Sequence, residues 1–232
     1  MDRDLMRFYD ILGKLQDRIG QRMLKDCHGR LSWPRRGVYF FFEAGEFRPN
    51  GTTPRVVRVG THAVSVGSRT TLWNRLSNHR GTLAGGGNHR GSIFRLWVGA
   101  ALLNSDASID PKPTTWEQGA SAKRPVLDAE AHVEQAVSTY IGLMPFLWIN
   151  ADDEPRTDSV RSVIEKNALA LLSCSSETGS TTDRPSPGWL GHHCPKEKLR
   201  CSGLWNVKDV DGRYDPKFLD VFAQCAAQTD PL

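Results

Sequence analysis

Gly37-Val38-Tyr39-Phe40-Phe41-Phe42, followed a hairpin's length later by Pro54-Arg55-Val56-Val57-Arg58-Val59-Gly60, decides how this chain folds. Both runs are aromatic and β-branched, a composition that packs well on a pleated surface. Between them, Glu43 to Thr53 is polar and contains Asn50-Gly51, whose residues tolerate the positive φ of a tight turn. The pair predicts an antiparallel hairpin. Pro145-Phe146-Leu147-Trp148-Ile149-Asn150 has the same character and is a third strand candidate.

Around these strands the pattern changes from alternation to helical spacing. Leu5, Phe8, Leu12, Leu15 and Ile19 recur at three- and four-residue steps and predict an amphipathic helix ahead of the hairpin. Shorter helices are expected over residues 70–79 and 92–103, and a longer one over 130–142. Residues 159–173 form the clearest helix, with Asp158 or Ser159 available as its cap. A last helix is expected over 215–227, where Pro216 suits the first turn. Residues 81–91 are glycine-rich without the spacing of a P-loop, and 104–125 read as a polar surface insertion.

These elements predict a mixed α/β (α+β) fold, a small, mostly antiparallel central sheet flanked by helices. The expected division is an N-terminal helical extension (1–30), a central domain (31–175) with an insertion at about 104–128, and a loop-rich C-terminal extension (176–232) ending in a helix. No apolar run approaches the roughly 18 residues a membrane helix requires. The first residues lack the basic-then-apolar layout of an export signal, so a cytoplasmic location is expected. Five scattered cysteines then read as free thiols rather than a disulfide framework. His192, His193, Cys194 and Cys201 are residue types that bind zinc, although their spacing is looser than structural zinc sites show. The alternative is a polar loop that contains thiols.

Charge is distributed unevenly. Between Glu46 and Asp106 there is no acidic residue and no lysine, yet the span holds Arg48, Arg55, Arg58, Arg69, Arg75, Arg80, Arg90 and Arg95. Guanidinium forks match phosphate oxygens bidentately, so this block favours a nucleic-acid partner over a merely solvated basic surface.

Gly37-Val38-Tyr39 and Arg58-Val59-Gly60 resemble the two halves of the GIY-YIG signature, one hairpin apart. The family places an arginine on the next helix, which Arg75 fits. After a third strand it places a glutamate in a helical segment, and Val163-Ile164-Glu165-Lys166-Asn167-Ala168-Leu169 matches that segment. Each piece is common alone; their order along residues 37–173 carries the resemblance. His79, four residues after Arg75, resembles the Arg-x₃-His layout of the restriction-endonuclease-like members.

The resemblance implies a Mg²⁺-dependent endonuclease acting on DNA, with Mn²⁺ able to substitute. Glu165 would hold the metal, Tyr39 would handle the attacking water, and Arg75 would stabilise charge on the scissile phosphate, with His79 and Asn167 assisting. A phenol that titrates near 10 in water is a poor base at neutral pH, so Tyr39 would rely on nearby cations such as Arg58 and Arg75. Arg58 replaces the second signature tyrosine, which leaves the proton-transfer details open and makes His62 an alternative base. Arg80, Arg90 and Arg95, with His62, are the expected substrate contacts. Glu165 could instead lie on a solvated stripe with Arg161. Two other functions remain compatible with the sequence: a nuclease-like module that binds nucleic acid without cutting, and a repair nuclease. Restriction of a palindrome would favour a homodimer.

Overall fold

The computed structural model describes residues 2–106, 109–175 and 183–232. Helix α1 (Asp2–Ile19) leads to a two-residue strand β1 (Arg22–Met23) and then to the hairpin of β2 (Gly37–Phe47) and β3 (Pro54–Gly60). Helices α2 (Leu72–Arg80), α3 (Ile93–Ser105) and α4 (Arg124–Gly142) follow, then β4 (Pro145–Asn150) and α5 (Val160–Leu172). A short α6 (Glu197–Ser202) and α7 (Phe218–Ala227) complete the chain. The strands form one sheet in the order β1–β4–β2–β3, antiparallel throughout. The mixed fold with a small antiparallel sheet is therefore as expected.

Period-two alternation assigns the two faces of this sheet. Tyr39, Phe41, Arg58, Phe146 and Trp148 share one face, where Phe41 meets Phe94 of α3 and Phe146 of β4. Phe40 points the other way and packs between Phe8 of α1 and Phe222 of α7. Each of these rings is almost wholly removed from water, worth about 1.5–3 kcal/mol apiece by apolar area. The hydrophobic core is continuous from α1 to α7 and includes Trp189, Leu204 and Trp205 from the stretch before α7.

Several boundaries differ from expectation for local reasons. The β2 strand runs on to Phe47, because Gly45 at φ 86° and a bulge carry pairing beyond Glu43. The turn shrinks to Arg48–Thr53, held by Asn50, whose side-chain oxygen accepts from the N–H groups of Thr52 and Thr53. The α4 helix begins at Arg124, six residues early, with Pro125 in its first turn, where no backbone N–H is needed. Two residues are too few to show periodicity, so β1 was not foreseen.

Residues 107–108 of the expected insertion lie outside the described residues. The rest is not a free surface loop. Trp116 is buried and donates to the Leu96 carbonyl, while Thr115 donates to Glu130 of α4. Residues 176–182 of the loop-rich stretch are likewise outside the described residues. Beyond them, the chain returns to the outer edge of β3. Trp205 N–H donates to the Val57 carbonyl, and the Asn206 side chain accepts from Val59 N–H and donates to the Val59 carbonyl. These are the ladder bonds that a further strand would make.

Candidate active site

The two signature glycines are required by close approach. A Cβ on Gly60 would lie 2.3 Å from the Tyr39 hydroxyl oxygen, because the phenol lies across the Gly60 backbone. A Cβ on Gly37 would lie 2.1 Å from the Ile149 carbonyl oxygen. Gly60 lets Tyr39 lie flat on the sheet and reach towards α2, and Gly37 admits the Ile149 carbonyl of β4.

There the Tyr39 hydroxyl is 2.8 Å from His79 Nε2, and His79 Nδ1 is 2.7 Å from the Ser92 hydroxyl. All three side chains are buried. Burial, reinforced by the charges of Arg75, Arg58 and Arg95, holds the His79 imidazole well below its ordinary range. It is neutral at physiological pH.

Arg75 stands one helical turn before His79 on α2, half-buried. No carboxylate or carbonyl of the described residues takes its guanidinium, and it lines a cavity of about 300 Å³ with Ser92, Ile93 and His89. Arg58 sits differently. Its guanidinium lies 4.5 Å from the Phe94 ring centroid and donates to the Trp205 carbonyl, leaving Nε without a partner. Burial disfavours its charge, offset by Tyr39 and Glu165. The residue replacing the second signature tyrosine is thus a cation held inside.

Glu165 projects from α5 at the end of β3, where Oε1 accepts the Thr61 N–H at 3.0 Å. Thr61 is itself anchored, its hydroxyl donating to the Gly37 carbonyl at 2.8 Å. Burial pushes the Glu165 carboxyl up to about 7, against the charges of Arg58 and Arg75 and with Asp209 adding to the rise. It is half-buried on the wall of an open cleft of about 760 Å³, shared with Asn167, Lys208, Asp209 and Tyr214. A carboxylate with one oxygen bonded to a backbone N–H and no ion pair, facing a cleft, suits a hard divalent cation that keeps water and phosphate oxygens as its other ligands. The solvated-stripe alternative does not hold, because Arg161 is fully buried against Asp153 and the carbonyls of Ala151 and Ala63.

The structure therefore brings Tyr39, Arg75, His79, Arg58 and Glu165 into one electrostatic neighbourhood. Asn167 shares the Glu165 cleft, but its amide donates to the Val163 carbonyl and accepts from Asp215 N–H, tying α5 to the segment before α7. His62, two residues past β3, is buried, and burial together with Arg161 pushes it down to about 4, so it is neutral. The expected substrate arginines are each engaged by the protein's own groups. Arg95 is fully buried in a pair with Glu134 (Nε–Oε2 2.9 Å) and donates to the carbonyl of His79. Arg90 grips both oxygens of Glu130 at 2.6 and 2.9 Å, and Arg80 donates to the Cys27 carbonyl while lying over the Trp73 ring. Burial and pairing tie Arg90 and Arg95 into the scaffold.

Among the described residues, no group of three or more His, Cys, Asp or Glu side chains could hold a metal ion, which removes the zinc reading of His192, His193, Cys194 and Cys201. His192 instead bonds the Ser186 carbonyl, and all five cysteines are free. Sequence reasoning missed Thr61, Ser92 and Asp209. A Ser at a helix start signals a cap, and nothing more in the sequence marks Ser92.

A family model described as GIY-YIG domain matches residues 1–232, and the chain belongs to that nuclease superfamily. Neither a search of curated proteins nor one of solved structures gave a match. No helix among the described residues is long and apolar enough to cross a membrane.

Proposed function

We propose that this protein is a divalent-metal-dependent endonuclease hydrolysing DNA phosphodiesters, with Mg²⁺ as the working ion. The observation that carries this reading is the buried Tyr39–His79 bond with the unpaired Arg75 beside it and Glu165 on the neighbouring cleft wall. Glu165 would hold the cation, which supplies charge neutralisation at the phosphate and an acidic water for the leaving oxygen. Tyr39 orients the attacking water and takes its proton as the phenol's own passes to His79 Nε2, 2.8 Å away. Arg58 lies buried beside that hydroxyl. Arg75 binds a non-bridging oxygen and stabilises the charge that develops on it, in a setting where burial strengthens the interaction. Arg69, exposed in the loop before α2, is free to meet a neighbouring phosphate. A restriction or defence role would follow from site-specific double-strand cutting by a homodimer.

The test is cleavage of supercoiled plasmid and of single-stranded DNA with Mg²⁺, Mn²⁺ or EDTA, beside Glu165→Gln. Metal-dependent cutting, lost in the variant while DNA is still bound, is the expected result. Metal-independent cutting, or cutting unchanged by the variant, overturns the assignment. Salt-sensitive binding with no turnover under any condition would mean a nucleic-acid-binding module. The inward-turned Arg58 favours that second reading, since it supplies no hydroxyl to the site.

A further inference from the structure

We propose that Arg58 is a positioning residue for the substrate phosphate: a buried positive charge that the fold leaves without a counter-ion, so that the phosphate held by Arg75 supplies one. The inference deepens the nuclease reading above, on which the identity of that phosphate as part of a DNA strand rests.

Five arginines are buried among the described residues: Arg36, Arg55, Arg58, Arg95 and Arg161. Four of them have a carboxylate at ion-pair distance. Arg36 meets Asp152 at 3.3 Å, Arg55 meets Glu46 at 2.7 Å, Arg95 meets Glu134 at 2.5 Å, and Arg161 meets Asp153. Arg58 has no such partner among the described residues. Its guanidinium donates to the Trp205 carbonyl and lies over the Phe94 ring, while its Nε is left without a hydrogen bond. A carbonyl dipole and a ring face return only part of the hydration that a buried cation loses. Only 4 % of the residue is exposed, so bulk water does not make up the difference. Arg55, three positions earlier on the same strand, shows that β3 can seat a guanidinium against a carboxylate.

The uncompensated charge lies where a phosphate would come. Arg58 pairs across the hairpin with Phe41, on the sheet face of Tyr39, and sits beside the Tyr39 hydroxyl. Arg75, whose guanidinium is likewise unclaimed, is near enough to repel it and opens on the cavity beside α3. Two like charges held near each other disfavour the empty site and favour an anion that meets both fields. Glu165 attracts Arg58 from beyond ion-pair distance, and a cation bound to Glu165 would cancel that attraction. Arg75 makes the direct contact with the phosphate. Arg58 acts through the interior, where a charge is felt more strongly than across water. A tyrosine at this position would bring a hydroxyl dipole; arginine brings a full charge.

The experiment measures anion binding in EDTA, without turnover, by calorimetry and thermal melts at constant ionic strength. The probes are inorganic phosphate and a thymidine dinucleotide with one phosphodiester. Arg58→Gln removes the charge and keeps a donor for the Trp205 carbonyl, whereas Arg58→Lys keeps the charge. Arg58→Gln is expected to bind both probes roughly tenfold more weakly than wild type, to lose most of the phosphate-induced rise in Tm, and to melt no lower than wild type without ligand. Arg58→Lys is expected to bind within about threefold of wild type. Wild-type affinity in Arg58→Gln, or equal losses in the Gln and Lys variants, would overturn the proposal. So would weaker binding together with a lower ligand-free Tm, since the charge would then belong to the fold. Wild-type protein with no saturable phosphate binding in EDTA would overturn it without any variant. If the wild type binds phosphate through Arg58 and never cuts DNA, the nuclease reading fails and this one stands.

Discussion

Arg95 donates to the backbone carbonyl of His79 at 2.9 Å, so an arginine from α3 secures the last turn of the helix that presents Arg75. The two arginines sit on different helices and differ in setting: Arg95 is fully buried and paired, while Arg75 has an open guanidinium. Opposite phenotypes are expected. Arg75→Ala should lower kcat by about 10²–10³, the loss seen when a donor to a developing oxyanion is removed, with Tm nearly unchanged. Arg95→Ala should leave Glu134 buried without its partner and cost about 3–5 kcal/mol in urea unfolding. Equal loss of stability in both variants would contradict this division.

Gly60→Ala tests the floor beneath Tyr39. The new methyl group would displace the phenol from His79, and a shift of about 1 Å at the reacting group costs about 10²-fold in rate. Overpacking adds a stability loss of about 1–3 kcal/mol. Steady-state cleavage and thermal melts on the same preparation separate the two effects.

Acid stability should depend on Glu134. Burial opposes ionisation of this carboxylate, but hydrogen bonding by His89 and the Arg95 charge outweigh it, so its pKa falls below the ordinary value. A depressed folded pKa contributes stability that is full above the unfolded value of about 4.3 and is lost as pH falls through the folded one. Tm should therefore drop steeply below pH ~4.3, and Glu134→Gln should flatten that limb while lowering Tm at neutral pH.

Glu165 has the opposite sign. Its carboxyl is raised to about 7, so its penalty is absent below the unfolded value, grows between the two values, and is full above 7. Without divalent cation at pH 8, Glu165→Gln should stabilise the protein by about 1–3 kcal/mol, with no gain at pH 4. Adding Mg²⁺ should raise the Tm of the wild type and not of the variant. A Glu165→Gln protein less stable than wild type at pH 8 would show that the carboxylate is not held against its own solvation.

Local pattern made the hairpin, the Phe146–Asn150 strand and the Glu165 helix readable, because alternation, turn chemistry and capping act over a few residues. The same holds for Tyr39, Arg75 and Glu165, whose order along the chain is itself the signal. Burial of the arginines was not readable. Glu130 and Glu134, the partners of Arg90 and Arg95, are separated from them by 40 and 39 residues, so a charge count over one window sees only half of each pair. Ser92 meets His79 only after the glycine-rich loop folds back, and Asn206 reaches Val59 across 147 residues.

The contact between Asn206 and Val59 also bears on how two copies could meet. An open edge on β3 would offer unpaired backbone groups to any neighbouring strand. Here Trp205 and Asn206 occupy the Val57 carbonyl and both Val59 groups, and the opposite border of the sheet is only the two residues of β1. Joining sheets along this stretch of β3 would first have to displace those bonds. Helices and loops carry no such covered ladder, so a second copy meeting them would leave each sheet a self-contained unit.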